Sequence, residues 1–139
     1  MICYAVIDTN VLVSALLSSN DMAATVQVVG RMIAGQIVPI YSREIMNEYE
    51  EVLNRKKFNF PRKMVRYVLK LIGECGIFVE PQPMEVILPD IKDLPFYEVV
   101  MEKRKDGAYL VTGNLKHFPK EPYIVTARQL IDILDANKE

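Results

Sequence analysis

Apolar runs alternate with amphipathic stretches along the chain, and the first of these runs ends abruptly on an acid. Residues 2–7 are apolar and stop at Asp8, which predicts a buried strand followed by a polar junction. The segments 10–17 and 22–34 have the apolar spacing of helices, and the polar residues between them supply a turn. The amino-terminal part of the chain therefore predicts a strand followed by two helices.

The middle of the chain continues the alternation. Segment 36–42 predicts a short strand, but Pro39 argues against an interior position in the sheet, because proline has no N–H group to donate. Ser42 is a candidate N-cap for a helix that extends to about Arg55. Pro61 suits the first turn of the next helix, so two consecutive helices are expected here.

The remaining segments complete an α/β pattern that predicts a mostly parallel sheet with helices on both faces. Functional sites in such sheets form beyond the carboxyl ends of the strands, and Asp8 and Asn114 both follow predicted strands. The other predicted elements are a strand at 77–80, a loop through Pro89, a helix from Asp93 to about Lys103, strands at 108–113 and 123–126, and a helix at about 127–136.

Composition indicates one globular domain over residues 1–139. Half of the residues are hydrophobic and a quarter are charged, a balance that can form a sizeable core. No apolar run approaches the roughly 18–20 residues that span a bilayer, and the first run lacks the preceding lysines and arginines of a signal peptide. We therefore expect a cytoplasmic protein without membrane association. The two cysteines, Cys3 and Cys75, form no CxxC pair, so we expect buried, reduced thiols.

The single histidine, His117, limits the chemistry that is available. It excludes a histidine-rich zinc site, and a Ser-His-Asp triad could form only through this residue. A metal site in this chain must therefore be built from carboxylates, and oxygen ligands favour Mg²⁺ or Mn²⁺. His117 itself is interpreted as a packed surface histidine.

Positive charge is concentrated in one stretch, which we call the basic segment. Of the 17 lysines and arginines, seven lie in this segment without an acid among them. The rest of the chain therefore has ten basic residues and all 18 acids. An exposed helical face is the ordinary explanation of any one of these residues. Seven together suggest phosphate contacts with RNA, with Phe58, Phe60 or Tyr67 as stacking partners. The basic segment comprises Arg55, Lys56, Lys57, Arg62, Lys63, Arg66 and Lys70.

Several polar residues lie where elements meet, and each has an ordinary structural explanation as well as a functional one. Asp8 and Asp93 are both suited to capping a helix, and Asp90 to a solvated loop. Glu48 lies at the edge of the apolar stripe of its helix, so it needs a partner, which could be a surface lysine or arginine. Thr112 to Asn114 form an ordinary turn sequence. Two or three carboxylates brought to one edge would repel unless a divalent cation neutralised them.

Four segments, in their order and spacing, resemble the PIN domain family of nucleases. They read VIDTNVLVSALL, SREIMNEYEEVL, DIKDLPFYEVV and YLVTGNLKHFP, and the resemblance covers about residues 3–130. It is greatest to the branch formed by the toxins of prokaryotic toxin–antitoxin pairs. The resemblance implies a Rossmann-like three-layer α/β/α sandwich and a ribonuclease that depends on Mg²⁺ or Mn²⁺. It also implies single-stranded RNA as the substrate and an antitoxin protein as a partner.

The resemblance assigns the acids to an active site. The family's catalytic and metal-binding acids match Asp8, Glu48 and Asp93, with Asp90, Asn10 and Thr112 as accessory residues. The fourth acidic position falls on Asn114, which keeps a carbonyl oxygen but removes a negative charge. The resemblance thus implies a nuclease whose activity is weakened by this change.

Two other classes of function remain as alternatives. The first is a degenerate PIN domain that binds RNA or a protein without cleaving. The second is a receiver-type phosphoacceptor domain, which would have paired acids after the first strand, whereas Asp8 is followed by Thr9 and Asn10. Dinucleotide binding and NTP hydrolysis are disfavoured by the absence of GxGxxG and GxxxxGK[ST]. We also expect a homodimer, with an apolar helical surface around residues 22–33 as the candidate interface.

Overall fold

The computed structural model describes residues 2–137 and shows a five-stranded, all-parallel sheet flanked by helices. The strand order is β3-β2-β1-β4-β5, which confirms the predicted α/β/α architecture. The strands are β1 (Cys3–Ile7), β2 (Ile37–Tyr41), β3 (Ile77–Phe78), β4 (Tyr109–Val111) and β5 (Ile124–Val125). The α-helices are α1 (Thr9–Leu17), α2 (Ala24–Ile33), α3 (Arg43–Leu53), α4 (Arg62–Cys75), α5 (Leu94–Glu102) and α6 (Ala127–Ala136).

The central strand β1 carries the middle of the hydrophobic core. Its residues Ala5, Val6 and Ile7 are consecutive and fully buried. Because successive side chains of a strand point to opposite faces, both faces of the sheet are covered. Helix α5 packs against β1, β2 and β4, while α2 packs against α1, α6 and β2. The near-continuous apolar run of β1 is thus the sequence of a strand buried from both sides.

Strand β2 corrects the expectation drawn from Pro39. It lies between β1 and β3, so Pro39 does occupy an interior strand. Gln36 accepts a backbone hydrogen bond from β1, whereas Tyr41 accepts one from Val79 on the other side. By alternation, Pro39 faces β3, whose pairing begins only at Ile40. The missing N–H therefore falls just before the partner strand starts, where no ladder bond is lost.

The expectation that both cysteines are buried is wrong for one of them. Cys3 is buried, but Cys75 is exposed. Cys75 is the last residue of α4, where fewer neighbouring elements are available to cover a side chain.

Two further expectations concern membrane association and dimerisation. Within residues 2–137, no helix is long and apolar enough to cross a membrane. Around residues 22–33, Met22 and Ile33 are exposed, while Val28 and Met32 are buried against the rest of the fold. Homodimerisation through this surface remains a prediction.

Candidate active site

The carboxyl ends of β1 and β4 bring two segments together that are far apart in sequence. Ile7 and Val111 are partners in the parallel ladder, and the backbone N–H of Asp8 donates to Val111 O at 2.9 Å. The residues that follow each strand are therefore neighbours. Thr112 Oγ1 donates to Asp8 Oδ2 at 2.7 Å, and both side chains are buried.

The carboxylate of Asp8 does not cap α1, so the capping interpretation is wrong. Asp8 precedes the helix, but its side chain makes no capping hydrogen bond. The oxygen that Thr112 contacts also accepts from Asn10 Nδ2 at 3.2 Å. Neutral donors therefore orient this buried acid, and no cation among the described residues forms an ion pair with it.

Helix α3 places a second acid above the same edge. Ser42 follows β2 and caps α3 as expected, since its Oγ accepts from the N–H of Ile45 at 3.2 Å. One and a half turns later, Glu48 is half-buried and accepts a hydrogen bond from Thr9 Oγ1. The alternative of a surface ion pair is wrong, because Arg55 pairs with Glu51 instead, at 3.6 Å.

A third acid enters from the start of α5. Asp93 is half-buried and makes no capping hydrogen bond, so this capping interpretation is also wrong. Its Oδ2 instead lies 2.9 Å from Nδ1 of His117. Asp90 is not a free loop acid, since its Oδ1 accepts from the N–H of Lys92 at 2.9 Å and caps a 3₁₀ turn.

Electrostatics show that Asp8, Glu48 and Asp93, which we call the acid cluster, share one region. Burial, opposed by the Thr112 hydrogen bond and reinforced by the charges of Asp93 and Glu48, raises the pKa of Asp8 to about 6. The pKa values of Glu48 and Asp93 are also raised, in both cases mainly by burial. Asp93 adds to the effect on Glu48 by charge repulsion. Such a site favours a proton or a metal cation between its acids.

The most compact group of potential metal ligands differs from the acid cluster. Within residues 2–137, the three potential ligands whose atoms all lie within 4.8 Å are those of Asp90, Asp93 and His117. Asp8 and Glu48 lie outside this compact trio. Carboxylates that are less tightly grouped can still hold a cation that keeps part of its water shell, as Mg²⁺ usually does. The oxygen-rich donor set therefore fits a hard divalent ion, with Asp93 common to both groups.

One end of the basic segment lies near the acid cluster. All seven of its cations are exposed, and the charge of Arg55 lowers the pKa of Glu48, which places the start of the segment near that acid. Phe58 and Phe60 stack with ring centroids 5.3 Å apart, and Lys57 lies over Phe58. Positive charge therefore begins near Glu48, and the aromatic pair lies within the same segment.

The sequence interpretation missed two supporting residues. His117 was taken for a surface residue, although it follows Asn114 within the same turn region and so reaches the same sheet edge. Tyr49 lies next to Glu48 in sequence but points inward, where its hydroxyl donates to the backbone oxygen of Ile7 just before Asp8. Its place on the apolar stripe of α3 signalled core packing and gave no sign of this hydrogen bond.

Tyr49→Phe tests the support beneath the acid cluster. Tyr49 is fully buried, so removing its hydroxyl leaves the oxygen of Ile7 without this donor, at a cost of about 1–3 kcal/mol in unfolding free energy. Chemical denaturation at neutral pH measures the change. Tyr67→Phe is the control, because 53% of Tyr67 is exposed and it should change stability little. Equal small effects would show that the Tyr49 hydrogen bond does not support β1.

Comparison with known proteins gives one finding. A family model described as PIN domain matches residues 4–116, which is well over half of the chain and contains every acid described above. No curated protein matches the chain, and no solved structure does.

Proposed function

This chain belongs to the PIN domain family, and from that premise we propose that it is a metal-dependent endoribonuclease acting on single-stranded RNA. PIN domains are generally nucleases, and they generally use divalent metal ions. The observation that carries the proposal is the acid cluster, in which burial raises the pKa of all three carboxylates and the charge of Asp93 adds to the rise at both Asp8 and Glu48.

The proposed mechanism divides roles among the acids. Asp8, Glu48 and Asp93 would hold Mg²⁺ or Mn²⁺, which supplies neutralisation of a phosphate oxygen and a lower pKa for bound water. The chain fixes each ligand through a different donor: Thr112 orients Asp8, Thr9 orients Glu48, and His117 orients Asp93.

The accessory residues hold the edge of the site together. Asn10 Oδ1 accepts from the N–H of Gly113 at 3.0 Å, and Thr112 Oγ1 accepts from the N–H of Asn114 at 3.0 Å. These bonds fix the turn after β4 against the start of α1. Hydrolysis with in-line attack by water is expected to leave a 5′-phosphate and a 3′-hydroxyl.

A cleavage assay tests this proposal. Labelled single-stranded RNA is incubated with the purified full chain in Mg²⁺, Mn²⁺ or EDTA, and the ends of the products are identified. Cleavage with either metal and none in EDTA is expected, with 5′-phosphate products. Metal-independent cleavage, or products with cyclic phosphates, would contradict the proposed mechanism.

A non-catalytic PIN domain that binds RNA or protein is the second candidate. The specific observation in its favour is Asn114, an exposed neutral side chain where the family's fourth acid falls. RNA binding without cleavage in Mg²⁺ or Mn²⁺ would support this candidate. Recovery of cleavage in Asn114→Asp would then identify the missing charge as the cause.

The basic segment is proposed to hold the RNA backbone by phosphate contacts. Three of its exposed cations follow the end of α3 and four lie on α4, and Arg55 lies near Glu48. Each phosphate contact with single-stranded RNA releases counterions, so binding should weaken steeply as salt increases. The aromatic pair Phe58 and Phe60 offers a surface on which bases could stack.

Removing two charges from α4 should flatten the salt dependence of RNA binding. For Arg66→Gln with Lys70→Gln, the slope of log K against log salt should fall by roughly 1.4, since each single-strand contact contributes about 0.7. Fluorescence anisotropy with a labelled RNA in EDTA measures the slope. The control pair is Lys105→Gln with Lys120→Gln, also exposed but outside the basic segment. An equal fall in both pairs would mean that α4 has no special role.

The biological setting is also proposed from family membership. PIN domains are typically components of toxin–antitoxin pairs, so we propose a toxin whose partner is an antitoxin protein. A cytoplasmic location and a homodimer remain part of this proposal. Light scattering of the purified chain tests the dimer directly.

A further inference from the structure

An open cleft adjoins the acid cluster on the side away from the basic segment. It has a volume of about 340 Å³ and lies where the carboxyl ends of β4 and β5 meet α1, α2 and α6. Asn10 and Thr112 form its boundary with the acid cluster, because both also contact Asp8. A molecule in the cleft would therefore lie next to the acids without displacing them.

The cleft contains hydrogen-bonding side chains that the proposed mechanism does not use. Ser14 and Thr25 lie on facing helices with their hydroxyl oxygens 3.4 Å apart. Asn114 and Arg128 are exposed at the other side of the cleft. Within residues 2–137, Arg128 forms no ion pair, so its guanidinium is available to a ligand. The cleft thus offers a cation, an amide and two hydroxyls around one space.

We propose that this cleft is a nucleotide subsite, which holds one nucleotide of the RNA next to the bond that is cleaved. This inference rests on the proposed ribonuclease function and adds the specificity-determining residues Asn114 and Arg128. The volume lies at the lower end of the range for small-ligand pockets, about 300–1,000 Å³, and suits a single nucleotide rather than a folded RNA element.

The chemistry of the cleft favours a nucleotide because both parts of that ligand find a partner. The Asn114 amide offers one donor group and one acceptor, the combination that asparagine uses to read a base edge. Arg128 offers a planar cation, which matches a phosphate or stacks on a base. An aspartate at position 114 would present only acceptors to the base and would repel the RNA backbone.

The topology supplies a path for the RNA. Helix α4, which carries four cations of the basic segment, packs against β2, and the cleft lies on the β4 and β5 side of β1. Asp8 follows the strand between them. A single strand that contacts the basic segment and continues across the acid cluster therefore reaches the cleft.

Nucleotide binding in the absence of metal tests the subsite. The full chain is titrated in EDTA with each of AMP, GMP, CMP and UMP, and backbone amide shifts are followed by NMR. Shifts should concentrate at Gly113, Asn114 and Arg128, with at least one nucleotide preferred. Arg128→Ala should weaken that binding about tenfold, the loss expected for one charge-assisted hydrogen bond. Lys105→Ala, which removes an exposed cation elsewhere, should not.

A second pair of variants tests whether the cleft must be open, rather than whether the charge of Arg128 is needed. Ser14→Phe should block binding of all four nucleotides, because Ser14 is exposed and lines the cleft. Ser19→Phe places the same bulk on an exposed turn outside the cleft and should bind as the wild type does. Absence of nucleotide-dependent shifts in the cleft, or equal binding by all variants, would overturn the subsite.

The outcomes separate the subsite from the proposed function. Mapping cleavage positions in a random RNA pool with Mn²⁺ should show a nucleotide preference beside the cleaved bond, and Arg128→Ala should reduce it. Cleavage without any nucleotide binding in the cleft overturns the subsite and leaves the ribonuclease standing. Nucleotide binding in the cleft without cleavage contradicts the ribonuclease and supports a binding module that uses the same subsite.

Discussion

Asp8→Asn should reduce metal-dependent RNA cleavage by more than about a hundredfold, the upper end of the effect of changing a residue that only orients a metal ligand. Asp8 is the most central of the three acids, because it follows β1, the middle strand of the sheet. Asparagine has nearly the same shape, so its carbonyl oxygen can still accept from Thr112. The variant therefore removes a negative charge and leaves the surrounding geometry in place.

The comparison needs a matched control, because a trace of contaminating ribonuclease can imitate activity. Asp21→Asn makes the same chemical change at an exposed turn residue and should cleave like the wild type. All proteins are purified in parallel and assayed on one labelled RNA in Mn²⁺ and in EDTA. If Asp8→Asn retains the activity of Asp21→Asn, then Asp8 is not a metal ligand or the activity belongs to a contaminant.

The role of Asp8 shows what local sequence can and cannot predict. The apolar run that stops at Asp8 was enough to predict a strand and a polar residue at its carboxyl end. Whether that acid capped a helix or joined a site depended on Thr112, which lies 104 residues away. The resemblance of four separated segments to one family supplied this information, because it placed them in one fold. Hydrophobic periodicity alone does not predict the contact between Asp8 and Thr112.

Pro39 and His117 also show where prediction from local sequence fails. The expectation that Pro39 avoids an interior strand failed because the neighbouring strand β3 has only two residues, and its starting point is set by tertiary packing. His117 pairs with an acid 24 residues earlier, across two elements. A lone histidine near an apolar residue is ordinarily a surface or packing residue, so nothing local distinguished it. In both cases the deciding fact was a register or contact between segments.

The same Asp8→Asn variant should be more stable than the wild type when metal is absent. Burial and its acidic neighbours raise the pKa of Asp8 from 3.8 to about 6. A carboxyl with a raised pKa binds its proton more tightly in the folded state, so unfolding free energy falls as pH rises between these values. Above about pH 7 the full penalty applies, and asparagine avoids it. We expect a gain of roughly 1–3 kcal/mol, measured by urea denaturation in EDTA.

At pH 4 and below, this gain should largely disappear, because the wild-type carboxyl then carries its proton in the folded state. The pH dependence separates charge repulsion from a general packing effect of the asparagine. Glu48 and Asp93 also have raised pKa values, so they add penalties of the same sign in the wild type. A variant that is less stable than the wild type near neutral pH would show that the hydrogen bonds to Asp8 outweigh its repulsion.

Divalent metal should reverse the order of stability. Metal that binds only the folded state adds about 2.7 kcal/mol at a hundredfold excess over its dissociation constant. The wild type gains this energy through the acid cluster, whereas Asp8→Asn has lost one of three charges and gains less. Repeating the urea denaturation with Mn²⁺ should therefore make the wild type the more stable protein. If metal stabilises both proteins equally, the ion binds elsewhere, and the compact trio of Asp90, Asp93 and His117 becomes the next site to vary.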